Sequence, residues 1–266
     1  MHRRAFLTSA LWLAGCTSLP RGLPIPALPK LHHVVLGQLV VYSDFPLPKQ
    51  HRLLDELVSQ RTLQSETLLM PVTEEPIHVY LFQTPEGFAA YIADRYPSFP
   101  ARRAFFVETD TQLAVYAHWG DRVAEDLRHE VAHGYLHASV RDLPLWLDEG
   151  LAEYFEVPRG HRGMNTPHVA QLGGEIEQNS WRPQLQRLEA LSSVSNMTQL
   201  DYAEAWAWAH FMLETTPDRR VVLQEYLHGM RDDAEHTPPL SVAMRKLHFD
   251  PDQTLLEHIA AIQPAR

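Results

Sequence analysis

Two histidines stand four residues apart with a glutamate directly after the first: His129-Glu130-Val131-Ala132-His133. Residues 121–138 carry Val123, Leu127, Val131 and Leu136 at helical intervals, with no Pro or Gly before Gly134. That pattern predicts a helix. Side chains at i and i+4 leave a helix from one face, so His129 and His133 can share one ion. Glu130 then lies beside the metal but off the ligand axis. There a carboxylate can take a proton from water that the ion acidifies. His137 shares the face, but it is about 12 Å from His129 along the axis at 1.5 Å per residue. One ion cannot bind both, so His137 is read as a supporting or packing residue.

Composition narrows the donor set. The 266 residues include 16 His and a single Cys, with a formal net charge of −10. One cysteine excludes an internal disulfide framework, a thiolate-rich zinc site and a cysteine-held iron–sulfur cluster. Any metal must be held mainly by His and carboxylates. The acidic balance gives no electrostatic footprint for nucleic acid, so no nucleic-acid partner is expected. A third ligand is offered by Leu145-Trp146-Leu147-Asp148-Glu149-Gly150-Leu151-Ala152-Glu153-Tyr154-Phe155, a short connection downstream. From the residues alone, Asp148, Glu149 or Glu153 could complete the site.

Together the two segments resemble the gluzincin zinc peptidases of the peptidase MA-like clan, in which His-Glu-x-x-His is followed by Trp-Leu-x-Glu-Gly on a later helix. The likeness covers roughly residues 75–215, is specific at 129–133 and 145–155, and points to small bacterial lipoprotein members. It implies a zincin-like fold and one zinc per chain on His129, His133 and Glu149. It also implies Glu130 as general base and Glu153 as the acidic residue that hydrogen-bonds a zinc-binding histidine. The aminopeptidase branch places a Tyr at the start of a downstream helix to stabilise the oxyanion. Tyr202, opening Asp201-Tyr202-Ala203-Glu204-Ala205-Trp206, resembles it in order and setting. His210, on the same helix, is either a buried core histidine or an oxyanion partner. The branch's Gly-x-Met-Glu-Asn segment has no counterpart before the zinc helix, so aminopeptidase specificity does not transfer.

These residues need a frame. Residues 34–42 read as a strand or strand pair and residues 77–82 as another strand. Residues 47–68 have helical spacing, and Thr84-Pro85-Glu86 opens a short helix to about Ile92, with Thr as cap. Residues 104–107 and 113–117 form an antiparallel hairpin around 108–112. The 113–117 strand is placed like the family's substrate-lining edge strand, where a peptide could add. Most of the chain from about 121 reads helical, and residues 201–213 form a helix with a broad apolar face. The fold class expected is α+β, with a mixed sheet and helices first (31–120) and a mostly helical part second (121–266), together one zincin-like domain. No repeat or low-complexity tract appears.

The chain begins Met1-His2-Arg3-Arg4, followed by an apolar run of about ten residues ending Leu13-Ala14-Gly15-Cys16. The run is too short to span a bilayer and fits a signal peptide over 1–15. Leu-Ala-Gly-Cys resembles the bacterial lipobox, which implies lipidation of Cys16. The alternative is a buried N-terminal helix with an incidental cysteine. Arg3-Arg4-Ala5-Phe6-Leu7 also resembles a twin-arginine export signal. Four prolines in residues 17–30 favour an extended tether over 16–30, or an arm lying on the domain. The expectation is an exported, membrane-anchored zinc peptidase on the periplasmic or cell-surface side, acting on a peptide or protein. Two alternatives stand: a metal-binding lipoprotein with an assembly role, and a hydrolase of a non-protein amide such as a cell-wall crosslink.

Overall fold

A computed structural model describes residues 27–263. The predicted signal peptide, Cys16 and most of the proposed tether lie outside these residues. The fold is α+β. In chain order come β1 (His32–Leu36), β2 (Leu39–Ser43), α1 (Arg52–Leu68), β3 (Ile77–Phe82), α2 (Pro85–Arg95), β4 (Ala104–Thr109) and β5 (Gln112–His118). The helices α3 (Val123–Ser139), α4 (Leu145–Phe155), α5 (Thr166–Glu177), α6 (Leu185–Glu189), α7 (Gln199–Glu214), α8 (Pro217–Asp233), α9 (Leu240–Leu247) and α10 (Pro251–Ala261) follow. Among the described residues no helix is long and apolar enough to cross a membrane.

The five strands form one mixed sheet in the order β1-β2-β3-β5-β4. The outer pairs are antiparallel hairpins and the two central pairings are parallel. Strand alternation splits β3 between two cores. Ile77, Val79 and Leu81 face α1 and α3, packing with Leu54, Leu57, Leu127 and Val131. Tyr80 and Phe82 face the other way, onto Phe88 and Tyr91 of α2. Thr84 caps α2 by accepting from the Gly87 N–H, as its sequence predicts. Leu28 packs on this second core, and Pro29 is buried.

One expectation is overturned here. The strand at 113–117 is not an edge: β5 pairs with β3 on one side and β4 on the other, so a peptide has no free ladder to join. On this side the edge strand is β4; β1 forms the other edge. The hairpin folds its first strand outward, because the second is taken up by parallel pairing with β3.

A third core belongs to the helices. Helix α7 runs through its centre and is buried on every side from Asp201 to Leu213, not along one face. Its polar residues survive because they are paired. Thr198 and Asp201 form a reciprocal cap, and Arg187 bonds both Asp201 and Glu204. Helix α3 belongs to two cores at once: Leu127, Val131 and Tyr135 go to the sheet, Ala132 and Leu136 to the helices. Its histidines emerge at the seam between them.

Two glycines set the spacing at that seam. A Cβ on Gly134 of α3 would stand 3.0 Å from Ile77 Cγ2 of β3. One on Gly150 of α4 would run into the Ala205 carbonyl of α7. Close helix approach therefore requires glycine next to Glu149.

Candidate metal centre

Five residues, 140–144, connect α3 to α4, so α4 returns directly beside the histidine helix. The Nε2 atoms of His129 and His133 face each other at 3.2 Å. Glu149 Oε2 lies 3.6 Å from each of them. A tetrahedral zinc with ligand bonds of about 2.0–2.2 Å separates its N and O donors by about 3.3–3.5 Å. The three atoms thus already stand near the corners of one coordination face.

The other ring nitrogens are taken. His129 Nδ1 meets Glu156 Oε2 at 3.1 Å, and His133 Nδ1 meets Asp148 Oδ1 at 2.9 Å. A carboxylate accepts, so each Nδ1 carries the proton, and in the neutral rings both Nε2 atoms present lone pairs. Two facing lone pairs do not bond each other. Glu149 Oε2 is buried and has no hydrogen-bond partner. Three acceptors converging on one point, one of them orphaned, call for a cation.

Protonation shows the same demand. Burial alone would lower the histidine pKa values, but the surrounding carboxylates hold both up, His129 through Glu149 and Glu156, and His133 to about 10 mainly through Asp148. Burial would raise Glu149, yet the two histidines 3.6 Å away, charged when no ion is present, bring it down to about 2. Without an ion, protons take its place.

Two further groups of metal-capable residues overlap this one, His133/His137/Asp148 and His129/Glu153/Glu156. In both, the atoms are already engaged, with one another or with a neighbour. His137 bonds Asp148 Oδ2 at 3.0 Å and Glu108 Oε2 at 2.6 Å. Glu153 bonds His168 Nε2 at 2.8 Å.

That last contact corrects one expectation. Glu153 does not hydrogen-bond a histidine of the centre; Glu156 does. At 100° per residue, position +4 from Glu149 is displaced by about 40°, whereas +7 returns to within about 20°. Glu156 therefore shares the azimuth of Glu149, two turns on. That periodicity could have revealed it. Asp148 was legible as a carboxylate near the site, but its role is to hold His133 and, through its other oxygen, His137.

Glu130 lines the cleft beside His129 and accepts from the Phe106 N–H of edge strand β4. Burial raises its pKa, and the two histidines oppose the rise. Tyr202 sits in the first turns of α7, largely buried, and its phenol oxygen accepts from Arg102 Nη2 at 3.1 Å. Burial and the charge of Glu149 push the phenol pKa up, so it remains a neutral donor. His210 lies elsewhere, bonded to His258. Arg102 is the residue that sequence reasoning missed. It precedes β4 in a loop and has no motif; its proximity to Tyr202 spans a hundred positions.

The cleft has two arms. One, about 360 Å³, is walled by Phe99, Phe105, Phe106, Leu145 and Val194 and reaches His133 and Glu149. The other, about 900 Å³, is polar, with Arg103, Arg128, Glu153, Glu156, Asn165 and His168. Arg102, His129 and Glu130 line both.

A family described as "Protein of unknown function (DUF1570)" matches residues 123–229, the stretch from the start of α3 into α8. It thus contains both helices that carry the candidate metal ligands, and Tyr202. No curated protein matches the chain.

Proposed function

We propose that this protein is a zinc-dependent peptidase. The observation that carries the reading is the convergence of His129 Nε2, His133 Nε2 and the partnerless Glu149 Oε2 on one point, with Glu130 beside it. The donor set is two imidazoles and one carboxylate, which suits zinc better than calcium or magnesium, ions that prefer oxygen alone. When bound, such an ion supplies Lewis acidity, acidifying water and polarising a carbonyl.

The chain's own residues do the rest. Glu130 takes the proton from the attacking water and returns it to the leaving amine. Its hydrogen bond from Phe106 ties the base to β4, whose outer edge has no strand partner. An extended peptide can therefore lie along β4 with its carbonyl near Glu130. Tyr202 has an O–H with no acceptor among the described residues, and it donates to the oxyanion as charge develops. Asp148 and Glu156 fix the tautomer and tilt of the two rings. The Leu13-Ala14-Gly15-Cys16 motif supports lipidation of Cys16 and a membrane-tethered enzyme outside the cytoplasm.

The test pairs metal analysis with turnover. Purified protein should hold one zinc per chain and cleave members of a peptide library, with a chelator abolishing cleavage. Glu130→Gln should keep the zinc and lose about 10²–10⁴-fold in turnover. Full activity in Glu130→Gln, or no stoichiometric metal, would overturn the reading.

A further inference from the structure

Most guanidinium groups along the polar arm have an anionic or carbonyl partner. Arg103 is bidentate on Asp126, the shortest contact 2.6 Å. Arg122 pairs with Glu125. Arg128 reaches Glu56 at 3.3 Å and the Glu156 carbonyl at 2.5 Å. Arg102 differs. Its hydrogen bond is the one it donates from Nη2 to the Tyr202 phenol, and no carboxylate of the described residues lies within ion-pair distance.

Carboxylates are not scarce there. Asp126, Glu153 and Glu156 line the same arm, but each is engaged elsewhere: Asp126 by Arg103, Glu153 by His168 and Glu156 by His129. The fold satisfies these acids with other partners and leaves the exposed Arg102 without an ion pair among the described residues, at the junction of the two arms, where the longer-range charges of Glu149 and Glu130 act on it. The side chain is steered there by its bond to the buried Tyr202, with Nε and Nη1 unused by the described residues. A planar fork with free donors matches a carboxylate in two-pronged geometry.

We propose that Arg102 anchors a carboxylate of the substrate, so that the enzyme prefers peptides presenting either their free C-terminus or an Asp/Glu side chain close to the cleaved bond. The inference rests on the peptidase reading and deepens it by naming the substrate class. The partner chemistry is the carboxylate; its two sources are told apart by the peptides used.

Binding is measured calorimetrically on the full chain carrying Glu130→Gln and loaded with zinc, so that nothing is consumed. One peptide pair differs in a free against an amidated C-terminus. A second pair differs in Glu against Gln beside the expected scissile bond. One pair should show about tenfold to a hundredfold weaker binding of its neutral member, the range of a charge-assisted hydrogen bond. Adding Arg102→Gln should erase that difference, and Arg102→Lys should keep part of it. Equal binding within both pairs, no binding by any of the four, or discrimination that survives Arg102→Gln would each overturn the proposal. Should Arg102→Gln not fold, Arg102→Lys together with the acid-against-amide comparison in the Arg102 protein decides it. Cleavage of the same peptides by the unsubstituted protein reports on the peptidase reading separately: discrimination without cleavage removes that reading and leaves the anchor.

Discussion

Two histidine pairs in this protein have nearly the same nitrogen separation and opposite chemistry. His129 and His133 approach through Nε2 at 3.2 Å, while His210 Nδ1 and His258 Nε2 lie 3.1 Å apart. In the first pair each Nδ1 is held by a carboxylate, and a third carboxylate closes the site. In the second no carboxylate of the described residues bonds the rings; they stack at 25°, bond each other and pack on Trp206 and Phe211. Burial lowers both of these pKa values to about 4, with the Arg219 charge adding to the effect on His258. A neutral ring can donate to its neighbour, so this pair satisfies itself. The carboxylates, not the imidazoles, decide which pair is arranged to take a cation.

The sharpest way to break the comparison is to remove a histidine from each pair. His133→Ala should lose stoichiometric zinc, with affinity falling by more than the roughly 10–100-fold expected for a supporting residue. His210→Ala should keep one zinc per chain and lose stability instead. Elemental analysis and melting curves read the two outcomes; zinc loss in His210→Ala would collapse the distinction.

Next come the carboxylates themselves. Asp148→Asn and Glu156→Gln should each weaken zinc binding about 10–100-fold in a competition titration against a chelating dye. Glu153→Gln, which bonds His168, should weaken it less. A reversed order would restore Glu153 to the role that the sequence suggested.

Acid should distinguish the pairs in a third way. His210 and His258 are held at about 4, below the ordinary value near 6.5. Between those values the unfolded chain binds protons that the folded chain refuses. Their contribution is full above about pH 6.5 and is lost as pH falls toward 4. Melting temperature against pH should be shallower across that window for His258→Gln than for the unsubstituted protein, and equal slopes would remove the pair from the acid response.

The smallest effects are expected from the two glycines, the larger of them from Gly150→Ala. The new methyl meets the Ala205 carbonyl of α7, an overpacking that costs about 1–3 kcal/mol and shifts α4 with Glu149 on it. A lowered melting temperature with weaker zinc binding checks it; Gly134→Ala, facing the deformable side chain of Ile77, should cost less.

Much of the frame was legible because its signals are local. The β3 strand at 77–82, the Thr84 cap and the helix around His129 follow from periodicity and capping within a few residues. What failed to show were properties of neighbours. Whether 113–117 is an edge depends on where β3 lies, and whether α7 has one buried face or none depends on the helices around it.

The same division holds at the centre. The sequence by itself narrowed the donor types open to any ion, because one cysteine leaves mainly nitrogen and oxygen, and it determined that two histidines share a face. Helical geometry enforces that pairing in any context. The tertiary structure decided which carboxylate stays unpartnered, which ones hold the rings, and that Arg102 meets Tyr202 across a hundred residues. Those are competitions for hydrogen-bond partners, and a competition is settled only when all the contestants are in place.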